Sequence, residues 1–330
     1  MVTRWLGQAW LLAVLLGLTI LISAMLGVVS INPLAVFSNE VGAVGRDIIL
    51  NIRLPRVLMA AITGYALAIS GVAIQSVFRN PLAEPALIGV SAGAAFAAAL
   101  ALLIVPAGVI GITWYISGAA FLGGLLVSFL VYGFFTLLRS RAHSYLLLIG
   151  IAINALLAAA LGLLNFVADA AQLKQMIFWS MGGFSAANWS SVLVFALGVL
   201  PLALCLPRFA EVMNAMLLGD RETGHLGYAP QKLSRRILLL VALAVGSSVA
   251  VAGIIGFIGL IVPHIGRRLV GSEHGLLLPV AGLLGAILLV VADLLARMLV
   301  APAEIPVGVI TALLGGPFFL YLLLAKRGAL

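Results

Sequence analysis

Arg53 and Arg56 stand three residues apart in "NIRLPRVLMAA", at the mouth of a long apolar run. At a helix start this spacing lets both guanidinium groups point in similar directions. Planar forks of this kind suit the bidentate capture of a carboxylate. Arg297, in "ADLLARM", is a third candidate for the same pocket. Asp293 lies four residues before it and is placed to pair with it across one helical turn. The competing reading is that these arginines reach lipid headgroups or cap helices.

Other chemistries lack their residues. The phosphate-binding pattern that ends in Gly-Lys-Ser/Thr is missing, because none of Lys174, Lys232 and Lys326 is followed by Ser or Thr. The chain is therefore not expected to bind ATP by a P-loop, and no enzyme activity is expected of it. Glu84, in "RNPLAEPALIG", is one of few groups besides Asp293 that a proton relay would use. His143, His225, His264 and His274 are not clustered, and no metal site is expected. Cys205 is the single cysteine, which excludes an internal disulfide framework.

The elements that must position the arginines are membrane spans. The chain is 64% hydrophobic and 8% charged, against roughly 25% charged in soluble domains. The net charge of +8 is spread in ones and twos between apolar runs, which argues against nucleic acid and for a lipid bilayer. The apolar stretches predict an all-α, polytopic membrane protein of about ten transmembrane helices, forming one domain over 1–330. The spans fall near 8–29, 56–78, 86–105, 115–138, 144–167, 189–207, 237–255, 257–270, 276–299 and 307–325. The first apolar run, at about 19 residues, exceeds a signal-peptide core of about 7–15 and reads as a retained span.

An even count puts both termini on one side. With the termini cytoplasmic, 13 of the 18 basic residues face the cytoplasm, which fixes the orientation. Arg46, Arg53, Arg56, Lys174 and Arg297 are then the outer exceptions.

The longest polar connection, about 208–236, lies on the cytoplasmic side. "AEVMNAMLLG" has helical spacing up to Gly219, and "DRETGHLG" reads as a second short helix. Met213, Met216, Leu217, Leu218 and Leu226 are more apolar than a solvated loop requires, so the segment reads as a docking surface. Within the spans, Gly150, Asn154, Ala158 and Gly162 recur every four residues, and Gly308, Ala312 and Gly316 repeat the pattern. Such smooth faces line a pathway or a subunit interface, or simply pack helices.

The stretches "RLPRVLMAAITGYALAISGVAIQSVFRNPLAEPALIGVSAGA", "AGIIGFIGLIVPHIGRRLVGSEH", "ADLLAR" and "EIPVGVITALLGGPFFLYLL" resemble the FecCD-type permeases. These are the membrane subunits of type II ABC importers for iron-siderophores, haem and cobalamin. The resemblance covers residues 53 to 324. It implies a homodimer in the bacterial inner membrane, fed by a periplasmic binding protein. It also implies two separate ATPase subunits, which hold ATP and Mg and dock on the loop carrying Leu217, Leu218, Gly219, Asp220, Leu226 and Gly227. The fifth and tenth spans would line the pathway. Cobalamin permeases carry Arg-Leu-Pro-Arg and the "ADLLAR" arginine where this chain has them, and there receive glutamates of their binding protein. This implies the same role for Arg53, Arg56 and Arg297.

Haem is the substrate expected, since "FVADAAQLKQMIFWSMGGFSAANW" is similar to the haem members. Siderophore and cobalamin are the alternatives. Met176 and Met181 are conceivable iron ligands, but packing suits them better. A secondary transporter driven by an ion gradient, or a membrane scaffold, are the competing classes. An ATPase that co-purifies with the chain separates the first reading from both.

Overall fold

The computed structural model describes residues 2–27, 43–106, 108–137 and 144–327. Arg139, Arg141, His143 and the end of the first predicted span lie outside them. Among the described residues the regular elements are all helices. They begin with α1 (Val2–Met25) and the short α2 (Ala43–Asp47), which runs through a π-helical turn, Ile48–Arg53, into α3 (Leu54–Val77). A 3₁₀ turn, Pro85–Ile88, leads to α4 (Val90–Ile104), α5 (Ile112–Leu137) and α6 (Ser144–Val167). Then come α7 (Ala170–Ser180), α8 (Trp189–Cys205), α9 (Ala210–Met216) and α10 (Asp220–His225). Last are α11 (Pro230–Ala252), α12 (Ile258–Val270), α13 (His274–Met298) and α14 (Val307–Arg327).

Every predicted span coincides with one of these helices, and among the described residues six runs of helix are long and apolar enough to cross a bilayer. Their ends differ from expectation in three places. Helix is continuous from residue 44 to 77, so Arg53 and Arg56 lie inside it and not at its mouth. α11 starts at Pro230, which puts Lys232, Arg235 and Arg236 on its first turns and not in a loop. Likewise α8 passes through the 3₁₀ turn Leu206–Phe209 directly into α9.

α3 is the centre of the bundle, and most of its residues are buried. Its sequence is rich in Ala, Gly and Ser, which lets neighbouring backbones come close in a medium where apolar burial does not drive association. It crosses the antiparallel α13 at Gly64 and Gly285. A Cβ built on Gly64 would lie 2.1 Å from the Gly285 carbonyl oxygen.

The division between the seventh and eighth spans is real. α11 stops at Gly253, whose φ is +67°. Residues 253–257 are unwound. α12, with 13 residues, is then about 20 Å long and too short to cross a bilayer of about 30 Å alone. Irregular backbone inside a membrane protein must be satisfied by protein groups. Here Gly183 N–H donates to Ala252 O at 2.8 Å, and Phe257 N–H donates to Glu84 Oε1 at 2.6 Å. Glu84 thus caps the entry to α12, a role its position between two prolines did not reveal.

Candidate functional sites

The bundle has an arginine end and a loop end. At the arginine end, the π-helical turn, α3 and α13 bring Arg53, Arg56 and Arg297 together, and all three are buried. Arg56 is gripped on two sides. Its Nε donates to Asp293 Oδ1 at 2.9 Å, and its Nη1 donates to both oxygens of Glu304 at 2.8 and 2.9 Å. Asp293, fully buried, also pairs with Arg297 Nε at 3.1 Å, the one-turn pair expected from spacing.

Arg53 and Arg297 also hold the end of α1. Arg53 Nη1 donates to Ala24 O and Met25 O at 3.1 and 2.8 Å. Arg297 donates to Ser23 O at 3.1 Å, to Ser23 Oγ at 2.7 Å and to Leu26 O at 3.2 Å. Helix-terminal carbonyls carry partial negative charge, so this is a C-cap made by two cations. The arginines therefore converge as expected, but in this structure they face protein. Glu304 is the part of the cluster that solvent reaches, with 44% of its side chain exposed. Sequence spacing gave no sign of it, because it lies 248 residues from Arg56.

Beside this cluster is a cavity of about 560 Å³. Arg56 and Glu304 form part of its wall, with Gln175, Phe178 and Trp179 from α7. Asp169 and Gln172 open α7 as a capping box. The Asp169 carboxylate accepts from the Ala171 and Gln172 N–H groups at 2.8 Å, and Gln172 Oε1 accepts from the Asp169 N–H at 3.1 Å. The Ala-Asp and Gln-Leu pattern that suggested haem thus has a local structural task. Met176 is buried against Ala99 and Leu102, in agreement with a packing role, while Met181 is partly exposed.

At the loop end, α9 and α10 are the two short helices expected. Their apolar residues divide in two. Met213 and Met216 point into the core, so they are not part of the docking surface that the sequence suggested. Leu217, Leu218 and Leu226 are exposed by 45%, 66% and 58%. Gly219 and Gly227 bracket α10 with φ of +114° and +86°, which lets the chain reverse at both ends. Asp220 pairs with Arg79 at 3.2 Å. The buried Thr223 hydroxyl contacts Gly219 O at 2.7 Å and Ala215 O at 2.9 Å, locking α10 onto α9. Glu273 caps α13 nearby. Burial opposes its charge, but hydrogen bonds from Gly275 N–H, the Asn214 amide and Leu276 N–H outweigh that and hold its pKa below the ordinary value.

The small-residue stripes also divide. A Cβ on Gly150 would lie 1.9 Å from Leu87 O, and the Asn154 amide donates to Ala86 O at 3.3 Å, so these two seat α6 on the turn before α4. Ala158 and Gly162 are exposed. On α14, Gly308 packs against Met181 O, while Ala312 is exposed and Gly316 has open space beside it.

Comparison with known proteins decides the assignment. The FecCD transport family model matches residues 15–325. The chain belongs to the FecCD transport family. It is a permease with the type II ABC importer fold. The permease is 45% identical over 96% of its length to the hemin transport system permease protein HmuU of Yersinia pestis, covering 95% of that protein. It is 39% identical over 94% of its length to the vitamin B12 import system permease protein BtuC of Yersinia enterocolitica, covering 91% of that protein. Its fold is similar to that of a metal-chelate type ABC transporter in an inward-facing conformation. The TM-score is 0.87 at 34% identity, over 96% of this chain and 98% of the other.

Proposed function

We propose that this permease carries haem across the bacterial inner membrane, working as a homodimer with both termini in the cytoplasm. A periplasmic binding protein delivers the haem at the arginine end. Two ATPase subunits, holding ATP and Mg, dock at the loop end. The observation that carries the haem reading is the 45% identity to a hemin permease over almost the whole chain, against 39% for a vitamin B12 permease. The orientation rests on the distribution of basic residues along the sequence, 13 of 18 of which fall on the side of the 208–236 segment when the termini are cytoplasmic.

In this reading, Arg53, Arg56 and Arg297 receive carboxylates of the binding protein, and Glu304 occupies Arg56 until one arrives. Leu217, Leu218, Gly219, Asp220, Leu226 and Gly227 meet the ATPase. Gly150, Asn154, Ala158, Gly162, Gly308, Ala312 and Gly316 serve the pathway and the dimer face. The exposed ones face the pathway or partner, and Gly150, Asn154 and Gly308 hold the helices that carry them.

Uptake into proteoliposomes tests the substrate. The permease is reconstituted with its ATPase and binding protein and offered haem, cobalamin or a ferric siderophore. ATP-dependent accumulation of haem above the other two is expected. Preference for either of the others overturns the haem reading. Uptake driven by an ion gradient without ATP overturns the importer mechanism.

A further inference from the structure

His274 is the first residue of α13 and is 1% exposed, yet both its ring nitrogens are engaged. Nδ1 lies 2.6 Å from Asn214 Oδ1, and Nε2 meets the Ser76 hydroxyl. The proton positions follow from the neighbours. The Asn214 amide donates to Glu273 Oε1 at 3.0 Å, and its oxygen accepts the His274 N–H at 3.0 Å. That oxygen is an acceptor, so Nδ1 carries the proton. Nε2 of the neutral ring then accepts from Ser76. The alternative has Ser76 donating only to Val72 O, 2.9 Å away. It would need a doubly protonated, charged imidazole in a buried site, which burial disfavours.

Three elements therefore meet on one ring. Asn214 is on α9, His274 opens α13, and Ser76 is in the last turn of α3. Asn214 also joins α9 to the start of α13 directly, through Glu273 Oε1 and the His274 backbone N–H, so the ring is what adds α3 to this tie. The remaining ties between the α9–α10 unit and the bundle are less directional. Met213 and Met216 pack by apolar contact, which tolerates sliding. The Arg79–Asp220 pair is partly exposed, at 35% and 27% of the two side chains, and such pairs contribute little. The hydrogen bonds through His274 set a fixed register. α3 and α13, joined at Gly64 and Gly285, then run on to the arginine cluster.

We propose that His274 is a positioning residue. Through Asn214 and Ser76 it locks the α9–α10 unit to the α3–α13 pair, so that movement of an ATPase on the loop is transmitted to the transmembrane core. This rests on the reading that the ATPase docks on the exposed leucines of that loop.

The test uses the complete complex in proteoliposomes, with the binding protein purified together with the ligand it retains. Two quantities are read: ATPase retained on the permease, and the stimulation of ATP hydrolysis by the binding protein. His274→Ala and Ser76→Ala are expected to retain the ATPase and its basal hydrolysis. Stimulation falls by about fivefold or more, the low end of ordinary allosteric coupling. Asn214→Ala and Ser76→Ala do not touch each other and share only His274. Their double variant is therefore expected to lose no more stimulation than the worse single one. Where His274→Ala lowers the yield, Ser76→Ala, which removes one hydroxyl, gives the same reading. Unchanged stimulation in Ser76→Ala overturns the proposal, as do losses that multiply in the double variant. Leu218→Asp separates the two readings. If it releases the ATPase while Ser76→Ala keeps full stimulation, docking stands and the positioning role falls. If it leaves the complex intact, the docking reading fails and this proposal fails with it.

Discussion

Asp293 and Glu304 hold the same guanidinium, and burial separates what they do. Asp293 is fully buried between Arg56 and Arg297, so removing it leaves two cations short of a counter-charge. Breaking one partner out of a buried pair typically costs about 3–5 kcal/mol. Asp293→Ala is expected to lower the unfolding temperature of the detergent-solubilised permease by many degrees. Glu304 is close to half exposed, and its pair is correspondingly screened. Glu304→Gln should leave the unfolding temperature almost unchanged. It should tighten docking of the binding protein, because Arg56 no longer has a competing carboxylate. Thermal unfolding in detergent checks the stabilities, and titrating the binding protein onto each variant in nanodiscs checks the docking. Weaker docking in Glu304→Gln would show that Glu304 is itself a contact for the partner. Only part of this was legible in the sequence. Spacing put Arg53 and Arg56 on similar sides, and it identified the Asp293–Arg297 pair. It could not show that α1 ends against them and offers four carbonyl groups, nor that Glu304 returns to Arg56 from the connection before α14.

At the scale of elements the sequence was far more informative. Among the described residues each of the ten apolar runs coincides with a helix, because a bilayer permits little else and each run must satisfy its own backbone. The spacing put the break between the seventh and eighth spans at residue 256, whereas the helix already ends at Gly253. Faces were harder to read. Gly150, Asn154, Ala158 and Gly162 look equivalent by spacing, yet the turn Pro85–Ile88 covers only the first two. What covers a helix face is decided by distant residues, which periodicity does not contain. The stripe therefore predicts two different defects. Gly150→Ala places a methyl group against Leu87 O and should cost about 1–3 kcal/mol of stability through overpacking. Ala158→Trp adds a ring to an exposed position and should leave the unfolding temperature of the protomer intact while most uptake is lost. Thermal unfolding and proteoliposome uptake, measured on both variants, separate the two. Uptake unchanged in Ala158→Trp would place that face toward lipid.

Across the whole molecule, α3 and α13 connect the two ends. Near one end they hold Arg56 and Asp293, near the other Ser76 and His274, and between these they touch backbone to backbone at Gly64 and Gly285. In the middle of a helix, Gly→Ala normally stabilises by up to about 1 kcal/mol through helix propensity. At Gly64 packing reverses the sign. The new methyl would lie 2.1 Å from Gly285 O, an approach only a separation of the two helices can relieve. Overpacking of this kind costs about 1–3 kcal/mol, more than propensity returns. Gly162 is the control, with open space where its methyl would go. Gly162→Ala is therefore expected to hold or raise the unfolding temperature of the protomer. Gly64→Ala is expected to lower the unfolding temperature. It should also weaken docking of the binding protein and its stimulation of ATP hydrolysis together, since one displacement disturbs the ties at both ends. Measuring the three quantities on the same preparation decides the matter. If docking weakens while stimulation per docked binding protein is unchanged, the two ends are not joined through this pair.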